Sequence, residues 1–335
     1  MNLKEVFCSN GGCPDKHKRG AGNIVSHGRK RPRCKCTTCG RTFSYRRDTA
    51  YAGLRTASEV VTQVVTLVSY GCPVAAIVAA FGYDARTVSR WMQRAGQQAE
   101  WLHHEQVRPL DLQQVQVDEV RLQMQGLVLW IAMALAVGSR LWLGAVSSVR
   151  RDKALAQHIM TCVYNWAQRV PLVISFDGWS AYENACHKVF REPCYTGKSG
   201  APRLRAWGCL TLVQLVKHGK QGIQRLVLSG SCTMLCRILE NTQGAGTINT
   251  AYIERFFATL RSRLPGFGRR TRCPQRQTEH VMEQVYLMGC IYNFCRYHAS
   301  LGKRTPAMAA GLTDHLWSIS DLLWWRPKPF WASTV

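Results

Sequence analysis

The stretch Asn249–Leu264, NTAYIERFFATLRSRL, decides the fold because it has the spacing of a helix packed on a sheet. At 3.6 residues per turn, five apolar side chains fall on one side and form a stripe that predicts burial. Those side chains are Ile253, Phe256, Phe257, Leu260 and Leu264. Glu254 lies beside the stripe, where a carboxylate is held rigidly and still reaches a cleft, and Arg261 can contact a phosphate there. A plain solvated surface is the alternative, so the functional interpretation depends on partners elsewhere in the chain.

Two aspartates end predicted strands upstream of this helix. Asp118 ends the alternating run from Gln114, and Asp177 ends an apolar run from Pro171 that is typical of a strand buried on both faces. Neighbouring strand ends in an α/β sheet bring such side chains together. Carboxylate oxygens suit Mg²⁺, and two such ions can support displacement at a phosphodiester. Asp118, Asp177 and Glu254 are therefore candidates for one Mg²⁺ or Mn²⁺ site, with Glu119 on the opposite face of its strand.

Five segments, in order along nearly the whole chain, carry a resemblance to a known family. They are VDEV (Val117–Val120), FDGWSAY (Phe176–Tyr182), the helix Asn249–Leu264, YNFCRYHASL (Tyr292–Leu301) and TPAMAAGLTDHLWS (Thr305–Ser318). They resemble the transposases of the insertion-sequence-one family, especially its longer members. The resemblance implies a DDE recombinase with a ribonuclease-H-like core, in which Asp118, Asp177 and Glu254 form the catalytic, metal-binding triad. One departure is Phe257, where the family's helix pattern has Asn.

The activity implied by the resemblance is transposition. The enzyme would recognise the ends of its element, release a 3′ hydroxyl by metal-dependent hydrolysis, and join that hydroxyl to target DNA without a covalent protein intermediate. The implied partners are the double-stranded DNA of the terminal inverted repeats and of the target, and further copies of the chain, at least a dimer on paired ends. An alternative from another class is a catalytically inactive DNA-binding regulator derived from a transposase.

Composition points to the same class of partner. The 335 residues include 46% hydrophobic residues, enough for a real core, and carry a net charge of +24 that predicts a polyanionic partner such as nucleic acid. The longest apolar run, Leu127–Val137, is too short to span a membrane. Fifteen cysteines and a start without an apolar signal segment indicate a reducing compartment, so we expect a cytoplasmic, nucleoid-associated prokaryotic protein.

Residues 1–56 have the cysteine spacing of a zinc ribbon. Two short knuckles predict a tetrahedral Zn²⁺ site, since so small a segment cannot fold by apolar burial alone. The predicted ligands are Cys8, Cys13, Cys36 and Cys39, and Cys34 could replace Cys36. The ribbon is strongly basic and is predicted to hold phosphates rather than to read sequence. Its predicted DNA contacts are Arg29, Lys30, Arg31 and Arg33.

Residues 57–100 have helix-turn-helix spacing. Ser58 can cap a first helix, Pro73 opens a second, and Asp84 caps a third. The third helix has a polar face able to enter a major groove, although a generic three-helix packing unit is the alternative. The residues of that face are Arg86, Ser89, Arg90 and Gln93. Residues 101–112 are predicted to form a linker, helical over Gly96–Pro109, with His103 and His104 exposed or, as the alternative, binding a metal.

The remainder is predicted to be the catalytic core of a multidomain α/β protein. Strands 114–120, 127–137 and 140–149 form a meander, helix 152–169 crosses over, and strand 171–176 lies parallel to the first. The core covers 113–191 and 249–300, with C-terminal helices from Glu279. A separate β-rich insertion covers 192–248, and 301–335 is a C-terminal tail. The run after Glu254 is rich in arginine and predicts further DNA contacts. These are Arg255, Arg261, Arg269 and Arg270.

Overall fold

A six-stranded mixed sheet lies at the centre of this computed structural model, which describes residues 3–28, 33–195, 203–218, 222–244, 246–268 and 274–327. The strands are β1 (Ile24–His27), β2 (Arg33–Cys36), β3 (Thr42–Ser44), β4 (Gln114–Gln123), β5 (Val128–Ala136), β6 (Trp142–Ser148), β7 (Val173–Asp177), β8 (Arg191–Cys194), β9 (Arg203–Ala206), β10 (Thr211–Lys217) and β11 (Ile223–Ser229). The α-helices are α1 (Ser58–Ser69), α2 (Val74–Phe81), α3 (Ala85–Gln106), α4 (Lys153–Trp166), α5 (Ala181–Val189), α6 (Cys232–Gln243), α7 (Ala251–Arg263), α8 (Thr278–Phe294), α9 (Pro306–Ala309) and α10 (Ile319–Trp324). The chain is thus a mixed α/β protein.

The strand order in the central sheet is β11-β10-β7-β4-β5-β6. β4, β5 and β6 form an antiparallel meander, and helix α4 crosses over so that β7 pairs with β4 in parallel. β10 then adds in parallel on the other side of β7. The predicted meander, crossover helix and parallel strand are all present. Asp152 caps α4 as expected, because its side chain accepts a hydrogen bond from the backbone N–H of Leu155.

Two predicted boundaries are corrected. β4 continues to Gln123 instead of ending near Asp118, because β5 pairs with it along its whole length. Only the pairing with β7 stops early, at Val117 opposite Phe176. α4 ends at Trp166 rather than at 169, because the Leu110 N–H donates to the Trp166 carbonyl and the Leu110 carbonyl accepts from the Gln168 N–H, which draws the chain out of the helix.

The predicted independent insertion at 192–248 is also corrected. Its hairpin is present, but both strands belong to the central sheet as β10 and β11. The reason is that β10 is apolar on both faces: Leu212 packs into one core cluster and Val213 into another. Among the described residues of 192–248, the β8–β9 ribbon stands apart from the central sheet. Helix α6 packs against the central sheet through Ile238 and Leu239.

The predicted linker at 101–112 is likewise not separate. Residues 101–106 continue α3, a helix of 22 residues whose C-terminal half packs on α8. His103, predicted to be exposed, is fully buried among Trp142, Trp166 and Tyr286. Burial lowers the pKa of His103 to about 3, so this imidazole is neutral. His104 is exposed as predicted.

The three helices predicted for residues 57–100 are present as α1, α2 and the first part of α3. Asp84 caps α3 through its side chain, which accepts from the backbone N–H groups of Arg86 and Thr87, and Gly82 ends α2 with a φ of +70°. Ser58 differs, because it is the first residue of α1 and Ala57 precedes it without a side-chain cap. No helix in the described part of the chain is long and apolar enough to cross a membrane.

Candidate active site

Asp118 and Asp177 lie on adjacent strands at the point where β4 and β7 separate. The last paired residues are Val117 and Phe176, so the next residue on each strand is one of the two aspartates. Glu119 joins them, and ligand oxygens of all three residues lie within 4.8 Å of one another. We call these three residues the acidic cluster. Asp118 and Asp177 therefore lie close together as predicted. Glu119, which strand alternation placed outside the site, lies with them.

Glu119 reaches the cluster although its side chain starts on the opposite face of β4. It accepts hydrogen bonds from the Tyr182 hydroxyl at 2.7 Å and from Arg151 Nε at 2.7 Å. Its side chain is only 4% exposed. The guanidinium of Arg151 also lies 4.0 Å from Asp177 and stacks over the ring of Trp179. This arrangement corrects the expectation that Glu119 lies outside the site.

Glu254 lies beside the acidic cluster and outside its 4.8 Å limit. Its carboxylate accepts from Lys217 Nζ at 2.8 Å and from the Thr250 hydroxyl at 3.2 Å. Lys217 is the last residue of β10, which runs parallel to β7 and ends at the same edge of the sheet. The three predicted triad residues thus share one edge, but Glu254 pairs with a lysine.

Gln116 fixes the helix that carries Glu254. Its side-chain amide donates to the carbonyl of Asn249 at 2.6 Å and accepts from the backbone N–H of Ile253 at 3.0 Å. The predicted stripe of α7 is buried, each of its five side chains being at most 4% exposed. Phe257 belongs to this stripe and packs in the core.

Burial and like charges set the electrostatics of the acidic cluster. Desolvation, followed by the charges of Asp177 and Glu119, raises the pKa of Asp118 from 3.8 to about 7. Burial also raises the pKa of Glu119, while hydrogen bonds from Tyr182 and Arg151 oppose that rise. Carboxylates crowded in this way gain from a divalent cation, and hard oxygen ligands suit Mg²⁺. The acidic cluster therefore fits a metal such as Mg²⁺.

The sequence reasoning missed Glu119, Gln116, Lys217 and Arg151. Glu119 adjoins Asp118, and the acidic pair in VDEV was a usable signal that strand alternation overrode. Gln116 also carries a signal, because a polar residue two positions before Asp118 shares its face of the strand. Lys217 and Arg151 come from distant segments, and only the packing of the sheet brings them to this edge.

The four predicted zinc ligands lie together in the N-terminal ribbon. The sulfur atoms of Cys8, Cys13, Cys36 and Cys39 are all within 4.8 Å of one another. The separation is 3.6 Å between Cys8 and Cys39 and 3.8 Å between Cys13 and Cys36. Four thiolates around one Zn²⁺ with bonds of about 2.3 Å lie about 3.8 Å apart, so this set could hold zinc.

The alternative ligand, Cys34, is fully buried but is not part of the four-cysteine group. Cys34 and Cys36 point to the same face of β2, but only Cys36 lies next to the turn that carries Cys39, where its carbonyl accepts from the Gly40 N–H. Hydrogen bonds from the Arg41 backbone and the Asn10 side chain lower the pKa of Cys39 to about 6. That direction favours the thiolate that a metal requires.

The predicted DNA contacts fall into three groups. Arg86, Ser89, Arg90 and Gln93 line a cavity of about 710 Å³ between α3 and the core, and all but Gln93 are exposed. Arg255 is exposed on α7, Arg261 is half-buried there, and Arg33 is exposed on β2. The remaining contacts predicted from the sequence lie outside the described residues: Arg29, Lys30, Arg31, Arg269 and Arg270.

Comparison with known proteins gives no sequence relative, since no protein-family model and no curated protein matches this chain. Two solved structures show a distant likeness. An intasome of simian T-cell lymphotropic virus, in complex with a PP2A regulatory subunit, is 10% identical over 74% of each chain, with a TM-score of 0.33. The catalytic core domain of BIV integrase is 13% identical over 61% of this chain and 97% of its own, with a TM-score of 0.28.

Proposed function

We propose that this chain is a DDE transposase of the insertion-sequence-one type with a ribonuclease-H-like core. The observation that carries the proposal is the meeting of Asp118, Glu119 and Asp177 at one sheet edge, beside Glu254. The sheet order, with a meander followed by two parallel strands, supports the choice of core. A basic ribbon and a helix-turn-helix in the same chain support DNA as the substrate.

In this proposal Asp118, Asp177 and Glu254 hold Mg²⁺ or Mn²⁺, and Glu119 contributes to the same site. The bound metal would stabilise negative charge on the attacking and leaving oxygens of a phosphodiester. Gln116 keeps α7 against β4, so that Glu254 stays beside Asp118. Arg151 and Lys217 balance the carboxylates and become available to DNA phosphates when a cation takes over that role.

The zinc ribbon, held by Cys8, Cys13, Cys36 and Cys39, is proposed to grip the DNA backbone, and the polar face of α3 to read the element ends. Arg90→Ala should therefore reduce discrimination between end-bearing and random DNA, because one base contact is worth about 1–3 kcal/mol. A dimer or larger assembly on paired ends is part of the same proposal.

The test is a nicking assay on end-bearing duplex with and without Mg²⁺. Asp118→Asn and Asp177→Asn should abolish nicking and strand transfer together while binding to the ends persists. Glu119→Gln should lower activity and raise the Mg²⁺ concentration needed for half-maximal rate. The matched control is Glu192→Gln, which breaks a comparable pair with Arg205 away from the acidic cluster. Specific binding to the ends with no cleavage by the wild type would instead identify a DNA-binding regulator.

A further inference from the structure

Two arginines flank one exposed tyrosine where the helix-turn-helix meets the core. Tyr70 directly follows α1, and 57% of its surface is exposed. The guanidinium carbon of Arg296 lies 4.1 Å from the centre of its ring, and that of Arg263 lies 4.8 Å away. Arg263 is the last residue of α7, and Arg296 follows the end of α8. We call Tyr70, Arg263 and Arg296 the arginine–tyrosine cluster.

The charge of this cluster is not balanced by an acid. Within the described residues neither arginine forms an ion pair, whereas Arg151 and Arg169 each pair with a carboxylate. Arg296 donates to the carbonyl of Ser69 at 3.2 Å, and its buried Nε has no acceptor. Two cations held side by side repel each other, so this arrangement costs free energy in the absence of an anion.

The arginine–tyrosine cluster shares a cavity with the polar face of α3. Arg263 also lines the cavity of about 710 Å³ that Arg86, Ser89 and Arg90 line. Gly71, next to Tyr70, lies against the end of α7, where an added Cβ would be 3.1 Å from the carbonyl oxygen of Ser262. The cluster therefore joins the turn after α1 to the helix that carries Glu254.

We propose that Tyr70, Arg263 and Arg296 form a binding site for the phosphate backbone of the DNA duplex whose groove receives α3. The inference rests on the proposed function for its substrate. Guanidinium groups match phosphate oxygens in a bidentate geometry, and the stacked ring holds both forks in place. Because Arg263 belongs to α7, a phosphate bound here couples end binding to the helix of the active site.

The experiment measures the affinity of the full chain, without Mg²⁺, for end-bearing and for random duplex over a series of NaCl concentrations. Arg263→Gln and Arg296→Gln should each weaken binding several-fold to both DNAs and reduce the salt slope by about one unit. The ratio between the two DNAs should not change. Arg169→Gln is the control, because Arg169 is also an arginine but is exposed and already paired with Asp111. Its salt slope should stay close to that of the wild type.

A thermal melt of the free protein separates this site from a purely structural clamp. Relief of repulsion should leave Arg263→Gln at least as stable as the wild type, whereas Arg296→Gln also loses the hydrogen bond to the Ser69 carbonyl. An unchanged salt slope with a lower melting temperature would overturn the proposal. If either Gln variant fails to fold, Arg263→Lys keeps the charge and should keep the slope while losing affinity. Since no step requires cleavage, failure of the nicking assay would not affect this result.

Discussion

At the scale of single residues, the carboxylates at the sheet edge differ in the cations that accompany them. Glu119 is held by Arg151, and Glu254 by Lys217. Asp118 has no ion pair among the described residues, and its Oδ1 accepts only the backbone N–H of Glu119. A buried carboxylate with acidic neighbours and no cation keeps its proton to unusually high pH. Asp118 is therefore the residue at which metal binding and pH are most directly linked.

Asp118 should lower the stability of the metal-free protein as pH rises from about 4 to about 7, whereas buried His103, whose pKa is lowered to about 3, acts in the opposite direction over the same range. The folded-state pKa of Asp118, about 7, is above its ordinary value of 3.8, so the folded state binds more protons in this window. Loss of the proton at higher pH then costs stability, on the order of 2 kcal/mol for this partly solvated group. Asp118→Asn should remove most of this decrease. Urea unfolding at several pH values, without Mg²⁺, measures the free energy of unfolding of both proteins.

The control for that experiment is Asp111→Asn, which removes an exposed carboxylate paired with Arg169 far from the acidic cluster. Its pH dependence should match the wild type. The same pH dependence of stability in the wild type and in Asp118→Asn would contradict the electrostatic account of Asp118.

At the scale of elements, two local structures hold the functional residues in register. Gln116 attaches the start of α7 to β4 through both ends of its amide. In the ribbon, three short strands bring the two cysteine knuckles together. α7 packs through its buried apolar stripe and Gln116 fixes its position on β4, whereas the small ribbon relies on its cysteine ligands.

Gln116→Leu should weaken the attachment of α7 to the sheet. It leaves the Asn249 carbonyl and the Ile253 N–H without partners, which costs about 1–3 kcal/mol. Because Glu254 is then less well positioned, nicking should fall much more than end binding. Gln123→Leu, on an exposed position of the same strand, should change neither property. Equal loss of binding and nicking would show that Gln116 acts on the whole fold.

Cys36→Ser should abolish zinc binding by the ribbon and weaken DNA binding at all sequences, because the metal supplies the folding free energy of so small a unit. Cys34→Ser should retain one zinc per chain, since Cys34 lies outside the four-cysteine group. Metal content by atomic absorption, with DNA affinity on the same samples, compares the two variants. Full zinc content in Cys36→Ser would show that the ligand set is different.

At the scale of the whole molecule, α3 connects the three-helix segment to the core. Its N-terminal half carries the polar face, and its C-terminal half packs on α8, where Gly96 faces Glu283. The C-terminal helix α10 adds a second connection, because Trp324 packs against Tyr45 and Tyr51. Ribbon, helix-turn-helix and core are therefore joined by shared packing.

Gly96→Ala should weaken this connection. A Cβ at residue 96 would lie 2.6 Å from both the Cβ and the carbonyl oxygen of Glu283, so the two helices must move apart. Overpacking of this kind costs about 1–3 kcal/mol, and both end discrimination and nicking should decrease. Gly208→Ala is the control, since a Cβ there meets nothing within 4 Å. Differential scanning calorimetry measures the change; equal melting temperatures for both variants would contradict it.

The sequence by itself determined the features that depend on local spacing. The period of α7 predicts its buried stripe, the cysteine knuckles predict the four-cysteine group, and Asp84 predicts the start of α3. Each of these signals lies within a few residues of the feature that it predicts. Such a feature therefore depends little on the rest of the fold.

Only the tertiary structure decided which elements meet. Glu119 joins the acidic cluster because Tyr182 and Arg151, from other segments, draw its long side chain to the sheet edge. β10 enters the central sheet because both of its faces find apolar cover, and His103 is buried because aromatic rings from three elements surround it. Periodicity reports that a side chain prefers burial, whereas the partner that buries it comes from distant segments that the local pattern does not specify.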